Sequence, residues 1–109
     1  SFREHDTVIA EQNGSIVGFG DMDASGYLDR LYVHKDCQGR GVASAICAWL
    51  ERRSAAAEYI THASLTARPF LERRGWQAAR EQEEERRGVW LKNVVMRKRR
   101  PEATEKEKV

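Results

Sequence analysis

The chain has 109 residues, 40% of them hydrophobic, which is enough to bury the core of one small domain. Its formal net charge of +2 produces no strong overall field, so we do not expect it to bind nucleic acid or an anionic membrane. Two cysteines are too few for a disulfide framework, and no apolar run reaches the roughly 18 residues of a membrane span, so we predict a reduced cytoplasmic protein.

The first predicted element is a β-hairpin. Asn13 and Gly14 stand between two apolar runs, and Asn-Gly in that setting is the strongest short-range hairpin signal. The runs predict strands over residues 7–11 and 16–21. Glycines inside a strand indicate a bulge or a close backbone neighbour. The second strand contains two of them, Gly18 and Gly20.

A third strand, a glycine-rich turn and a helix follow in that order. Residues 27–33 are apolar on both faces except at Asp29 and Arg30, which predicts a central, covered strand. After the turn at residues 38–41, apolar residues recur with the period of an amphipathic helix. We expect this helix to extend over residues 41–57.

The C-terminal half predicts a strand, a short helix and an antiparallel pair of strands. These elements lie at residues 59–64, 67–74, 76–82 and 89–97. The order is β-β-β-α-β-α-β-β, and the helix after the third strand makes one parallel βαβ crossover in an otherwise antiparallel sheet. We therefore predict a mixed α/β (α+β) fold, with a single domain at residues 1–100 and a solvated C-terminal tail at 101–109.

The turn before the first helix directs backbone N–H groups and the positive end of a helix dipole to one spot, which favours a phosphate. A P-loop needs Gly-Lys-Ser/Thr there, and Val42 and Ala43 follow Gly41 instead. A dinucleotide-binding turn needs a third glycine where Ser44 stands. The spacing Gln38-x-x-Gly41-x-Ala43 resembles the acyl-coenzyme-A signature, Gln/Arg-x-x-Gly-x-Gly/Ala, of the GNAT superfamily of N-acetyltransferases.

A second segment supports this resemblance, which covers residues 7–98. GNAT proteins carry Asn-x-x-Ala-x-x-(apolar)-Tyr-x-x-x-Gly-Phe after the signature helix. Four residues match it in place or in kind: Ala67, Phe70, Gly75 and Trp76. The Asn falls on Ser64, which can still hydrogen-bond, whereas the Tyr, which often protonates the leaving thiolate, falls on Leu71. Direct attack by an amine needs mainly positioning and carbonyl polarisation, so this loss need not end catalysis.

The resemblance implies a site for acetyl-CoA as co-substrate and no metal. The pantetheine arm would pair with the edge of the third strand at Leu31, Tyr32 and Val33, where that strand splays from the fourth. The N–H of Val33 would polarise the thioester carbonyl. The other coenzyme contacts that the resemblance implies are Ser64, Phe70 and the backbone N–H groups of Gln38, Gly39, Arg40, Gly41, Val42 and Ala43.

Two side chains are candidates for the base that deprotonates the acceptor ammonium. Several GNAT enzymes carry an acid on the coenzyme strand, where Asp29 lies here, and the alternative is a surface or capping carboxylate paired with Arg30 or Lys35. His62 can act as a base near neutral pH, although a lone His on a strand is more often packed. His34 and Cys37 lie three residues apart, but no third metal ligand accompanies them.

Members of the family usually begin with a strand and two helices that wall the acceptor pocket, whereas six residues precede Thr7 here. We therefore expect an incomplete acceptor site in this chain. We also expect the first strand to be an exposed edge, which can pair two chains into a homodimer. The acceptor is a small-molecule amine or a protein amine, and the sequence does not choose between them.

These observations predict an acetyl-CoA-dependent N-acetyltransferase in which a primary amine attacks the thioester directly. The alternative is a GNAT-like module that binds coenzyme A and is catalytically inactive or regulatory. Leu71 and the short N-terminal part favour this alternative. A third interpretation, nucleic-acid binding through the basic residues 97–100, predicts a steep salt dependence.

Overall fold

The computed structural model describes residues 5–101, which contain six strands, two α-helices and one 3-10 turn. They run β1 His5–Gln12, β2 Ser15–Asp23, β3 Leu28–Val33, the 3-10 turn Lys35–Cys37, α1 Val42–Arg53, β4 Glu58–Ser64, α2 Arg68–Arg73, β5 Gln77–Arg86 and β6 Val89–Arg99. The predicted order β-β-β-α-β-α-β-β is confirmed. Apart from Pro101, the predicted tail lies outside the described residues.

The strands form two antiparallel sheets of three, in the orders β1-β2-β3 and β4-β6-β5. The sheets meet where Tyr27 and Ile60 form a parallel bridge and the N–H of Ile60 donates to the C=O of Gly26 at 3.0 Å. This is the predicted parallel crossover. Within residues 5–101 no further bridge joins β3 to β4, so the two strands diverge beyond it.

A β-bulge lies in β3 just after this bridge. Leu28 pairs with Met22 and Arg30 pairs with Asp21, so Asp29 is an extra residue with no partner in the register. A bulge of this kind bends its strand and re-aims the side chains around it. Both Asp29 and Arg30 are exposed, and Arg30 forms an ion pair with the buried carboxylate of Asp21.

The core lies between the sheets and the helices. Its buried members are Met22, Leu28, Ile46, Cys47, Leu50, Tyr59, Ala63, Leu71, Trp76, Val94 and Met96. The two glycines of β2 leave room for α1, and the close backbone neighbour that the sequence predicted is found at Gly18. A Cβ atom on Gly20 would lie 2.7 Å from Cγ2 of Ile46, and one on Gly18 would lie 2.8 Å from the backbone oxygen of Tyr32.

Two details of the prediction are wrong. The first helix ends at Arg53 and not at residue 57, because Ser54 is extended (φ −72°, ψ 136°) and its Oγ accepts the N–H of Ala56 at 3.1 Å. The third strand is not covered on both faces, since Tyr32 is 47% exposed. Leu31 and Val33, on its other face, line an open cleft.

None of the helices within residues 5–101 combines the length and the apolar character needed to cross a membrane.

Candidate functional site

A cleft of about 500 Å³ opens beside the end of β3, between that strand, the glycine turn and α2. Eight of the eleven predicted coenzyme residues line it: Leu31, Val33, Gln38, Gly39, Gly41, Val42, Ala43 and Phe70. Four residues outside that prediction complete the lining: Cys37, Ser44, Ala67 and Arg73. The chain therefore brings most of the predicted contacts to a single cavity.

The N-terminus of α1 opens into this cleft without a protein cap. Gly41 is the N-cap residue, has φ +81° and has no side chain to accept a hydrogen bond. The first helical bond runs from the N–H of Ala45 to the C=O of Gly41, so the N–H groups of residues 42–44 have no partner inside the helix. Together with the helix dipole they form a site for an anion.

Glycine is needed in this turn for backbone conformation and access. Gly39 and Gly41 have φ values of +80° and +81°, a region that other residues rarely adopt. A Cβ atom on either would meet nothing within 4 Å, so the space in front of the turn is open. A ligand can thus lie directly on the backbone, and a larger side chain would fill that space.

The edge of β3 offers further backbone donors. The N–H of His34 bonds to the C=O of Val17 on β2 at 2.7 Å. Because bonding residues alternate in an antiparallel ladder, Leu31 and Val33 direct their N–H groups away from β2 and into the gap between β3 and β4. On the other side of the bulge the C=O of Leu28 already accepts the Thr61 hydroxyl at 2.7 Å.

Three predicted coenzyme residues do not line the cleft. The ring of Tyr32 lies on the opposite face of β3, 5.6 Å from the ring of Phe19. Arg40 lies along a shallow groove beside the β1–β2 hairpin. The hydroxyl of Ser64 accepts the N–H of Ala67 at 3.0 Å and so serves the turn before α2.

The histidine and the cysteine around the turn have structural roles in this arrangement. Nδ1 of His34 accepts the N–H of Asp36 at 3.1 Å and caps the 3-10 turn. The N–H of Cys37 donates to the C=O of His34 at 2.8 Å, and its thiol is buried. Within residues 5–101 no three His, Cys, Asp or Glu side chains are grouped closely enough to hold a metal ion.

The helix after β4 contributes one cation to the cleft. Arg73 lines it, whereas the adjacent Arg74 donates to Oγ of Ser44 at 2.9 Å and pairs with Glu51 at 3.1 Å. Leu71, at the position of the family's Tyr, is 2% exposed within the core, so that position supplies no acid to the cleft. The sequence did not distinguish the two arginines, because their roles depend on which face of α2 each one occupies.

The candidate bases lie on the side of the sheets away from the helices. Asp29 is exposed at the bulge and makes no hydrogen bond or ion pair with another described residue, since Arg30 pairs with Asp21 instead. His62 bonds through Nδ1 to Oε1 of Glu84 at 2.9 Å. Sequence reasoning missed Glu84, which is one of four glutamates at positions 81 and 83–85.

Comparison with known proteins identifies the family of this fold and cleft. The family model of the acetyltransferase (GNAT) domain matches residues 2–99. The chain belongs to the GNAT acetyltransferase family. The N-acetyltransferase YafP of Escherichia coli K12, named as uncharacterized, is 42% identical over 89 residues, which are 82% of this chain and 57% of that protein. The chain therefore spans little more than half the length of this curated relative.

Solved structures agree with this assignment. A GCN5-related N-acetyltransferase from Rhodopseudomonas palustris has a TM-score of 0.84 and 33% identity, over 87% of this chain and 61% of that one. The yncA structure from Salmonella typhimurium, solved with its cofactor acetyl-CoA, has a TM-score of 0.73 over 92% of this chain and 67% of that one. Its 16% identity shows a shared fold and no more.

Proposed function

We propose that this chain carries the coenzyme site of an acetyl-CoA-dependent N-acetyltransferase that transfers the acetyl group to a primary amine by direct attack on the thioester. The uncapped N-terminus of α1 behind Gly41, opening into the cleft, is the observation that carries the proposal. It suits a diphosphate, and Arg73 adds a positive charge to the same cleft. A family member solved with acetyl-CoA supports the choice of ligand.

The proposed coenzyme lies along the cleft from the turn to the edge of β3. Its diphosphate would accept from the backbone N–H groups of residues 38–43, and its pantetheine arm would pair with the strand edge at residues 31–33. The Val33 N–H faces the gap and would stabilise the oxyanion that forms when the amine attacks. Leu31 directs its N–H to the same side and is a second donor for this purpose.

The acceptor amine would approach from the opposite side of the gap, where Asp29 is exposed at the bulge. An ammonium group is attracted to a carboxylate that has no other ion-pair partner. We propose that Asp29 contacts the acceptor ammonium, either orienting the amine or removing its proton. The amine itself is a small molecule or a protein amine.

The main alternative is a module that binds coenzyme A without catalysis, which the buried Leu71 favours because it provides no acid for the thiolate. Incubating the chain with acetyl-CoA and three primary amines (spermidine, kanamycin and a peptide with a free N-terminus) separates the two. We expect amine-dependent release of coenzyme A thiol and an acetylated product by mass spectrometry. Binding of acetyl-CoA without any acetylated amine would favour the inactive module.

The basic C-terminal cluster does not favour nucleic acid. Arg97 pairs with Glu58 and Lys98 pairs with Glu51, both at 2.8 Å, so part of its charge is neutralised within the fold. A cytoplasmic location and a homodimer formed through β1 are also proposals. β1 is the edge strand of its sheet, and light scattering at micromolar concentration tests the dimer.

A further inference from the structure

A polar cluster lies on the face of the second sheet that points away from the helices. Tyr59, Thr61 and Ala63 of β4 are buried, so His62, which alternates with them, projects from the other face. There Nδ1 of His62 bonds to Oε1 of Glu84 on β5 at 2.9 Å.

This cluster lies where β3 and β4 begin to diverge. The parallel bridge between Tyr27 and Ile60 places His62 level with Asp29 in β3, two residues before Leu31. That separation along the strand is about 7 Å at the usual rise of ~3.3 Å per residue. The ring of Tyr27 contacts the ring of His62 edge-on, with 5.6 Å between centroids. The imidazole therefore lies beside the gap that receives the donor N–H groups of β3.

The hydrogen bond between His62 and Glu84 determines which ring nitrogen of His62 can accept a proton. Hydrogen bonds from Asn93 and from His62 lower the pKa of Glu84, so its carboxylate is charged at neutral pH. A carboxylate accepts, so Nδ1 is the nitrogen that donates to it, and in this tautomer Nε2 holds the lone pair. Nε2 has no hydrogen-bond partner among the described residues, and the side chain is 34% exposed. The imidazole is thus a base that solvent or a substrate can reach.

A neutral amide and a guanidinium of the same strand hold the carboxylate in place. Nε2 of Gln82 donates to Oε1 of Glu84 at 3.0 Å. Arg86 donates to Oε2 of the same carboxylate at 3.4 Å. These two residues of β5 therefore orient Glu84, and Glu84 in turn orients the imidazole. Carboxylate, imidazole and a free nitrogen in this order form a common general-base arrangement.

We infer that His62, oriented by Glu84, removes the proton from the acceptor ammonium; this inference rests on the proposed function. Nε2 takes one proton, the freed amine attacks the carbonyl carbon of acetyl-CoA, and the C–N bond forms. The C–S bond then breaks, and the thiolate takes the second amine proton to leave as coenzyme A. The imidazolium returns its proton to solvent. His62 is a catalytic residue in this scheme, and Glu84 is a positioning residue.

Several charged or titratable groups surround the imidazole. Tyr27 contacts it from just before β3, and the charge of Asp29 acts on Tyr27. Glu84, Arg80 and Arg86 lie on its face of β5, where Arg86 pairs with Glu84 at 3.4 Å. From β6 its direct partner is the buried Val95. Arg97, two residues further along β6, is paired with Glu58. Asp29 draws the ammonium to this place in our scheme, while His62 takes its proton.

The test compares the full chain with His62→Gln, Glu84→Gln and Asp29→Asn. The matched control is Glu85→Gln, an exposed glutamate on the other face of β5. The assay is acetyl transfer from acetyl-CoA to spermidine, kanamycin and the peptide amine between pH 6 and 9.5. Calorimetry with coenzyme A on every variant measures coenzyme binding separately.

We expect His62→Gln to lower kcat/KM about 100-fold at neutral pH, as for a lost general base. The loss should shrink towards pH 9.5, because more of the amine is then already deprotonated in solution and needs no base from the enzyme. The affinity for coenzyme A should not change. Glu84→Gln should lower kcat/KM about tenfold, and nitrogen NMR should show that the Nδ1–H tautomer is no longer favoured. Glu85→Gln should behave as the parent.

The outcomes separate this inference from the proposal on which it rests. A parent chain that binds no coenzyme A, or that acetylates no amine, overturns both. A parent chain that binds and acetylates, with His62→Gln unchanged at every pH, overturns the role of His62 alone. Loss of activity in Asp29→Asn with no change in His62→Gln would assign the proton to Asp29.

Discussion

Gly20 leaves no room for a side chain where α1 packs on β2. The added Cβ of Gly20→Ala would lie 2.7 Å from Cγ2 of Ile46 and 3.2 Å from the backbone oxygen of Arg30. Overpacking of this kind typically costs about 1–3 kcal/mol. We expect Gly20→Ala to lower the free energy of unfolding by that amount in urea, with the slope of the transition unchanged.

A double-mutant cycle tests the stated cause. Ile46→Leu removes the Cγ2 atom that the new methyl group would meet, so the double variant should be more stable than the sum of the two single effects predicts. Contacting residues typically show a coupling of about 0.5–3 kcal/mol. Strict additivity would show that the clash with Ile46 is not the reason for the loss.

Single residues were predictable where a local rule governs them. Asn13 and Gly14 adopt φ values of +53° and +79°, which the hairpin signal requires. Gly39 and Gly41 likewise have positive φ values, which their turn before α1 requires. The direction of a side chain was less predictable, because Tyr32 and Arg40 lie in or beside the motif and yet line other surfaces. Only the twist and packing of the folded chain decide this.

At the scale of elements, Glu51 joins α1 to two other parts of the fold. Its side chain is 10% exposed and pairs with Arg74 after α2 at 3.1 Å and with Lys98 of β6 at 2.8 Å. Both cations are 16% exposed. Removing one partner of a buried ion pair leaves its charge uncompensated, which typically costs about 3–5 kcal/mol. We expect Glu51→Ala to lower the free energy of unfolding by about 3 kcal/mol.

Glu72→Ala is the matched control for this prediction. Glu72 pairs with Arg68 one turn away on α2, with side chains 46% and 37% exposed. Exposed pairs of this kind contribute less than about 1 kcal/mol. Equal losses in Glu51→Ala and Glu72→Ala, measured by urea unfolding, would refute the structural role assigned to Glu51.

The existence and order of the elements were predictable from periodicity and turn residues. The end of α1 was not, because a hydrogen bond from the Ala56 N–H to Ser54 competes with the next helical turn. Pairs such as Glu51–Lys98 and His62–Glu84 join residues 47 and 22 positions apart. No local pattern specifies them, so the buried ion pairs of Glu51 and the His62–Glu84 pair emerge only from the folded chain.

At the scale of the whole molecule, the cleft exists because two three-stranded sheets meet at one bridge and then diverge. The N–H groups of Leu31 and Val33 point from β3 into the gap, and the turn at Gly41 presents the helix N-terminus beside it. The family signature in the sequence predicted a glycine turn before α1 and an edge where β3 diverges from β4, and both are found. The sequence could not indicate which candidate base is better placed, because that depends on which side chains of β3, β4 and β5 meet across the gap.

Acetyl-CoA should bind to the backbone of the turn at Gly41. Calorimetric titration of the chain with acetyl-CoA and with coenzyme A, repeated on Gly41→Glu, tests it most directly. Gly88→Glu is the matched control, because Gly88 has φ +80° and open space around its Cα, as Gly41 has, but lies in the β5–β6 turn outside the cleft.

Both substitutions impose the same backbone strain, and only one places a carboxylate where the diphosphate would lie. We predict that the parent chain and Gly88→Glu bind both ligands and that Gly41→Glu loses at least about 100-fold in affinity, or about 2.7 kcal/mol. No binding by the folded parent chain, or equal binding by Gly41→Glu and Gly88→Glu, would contradict this assignment of the site.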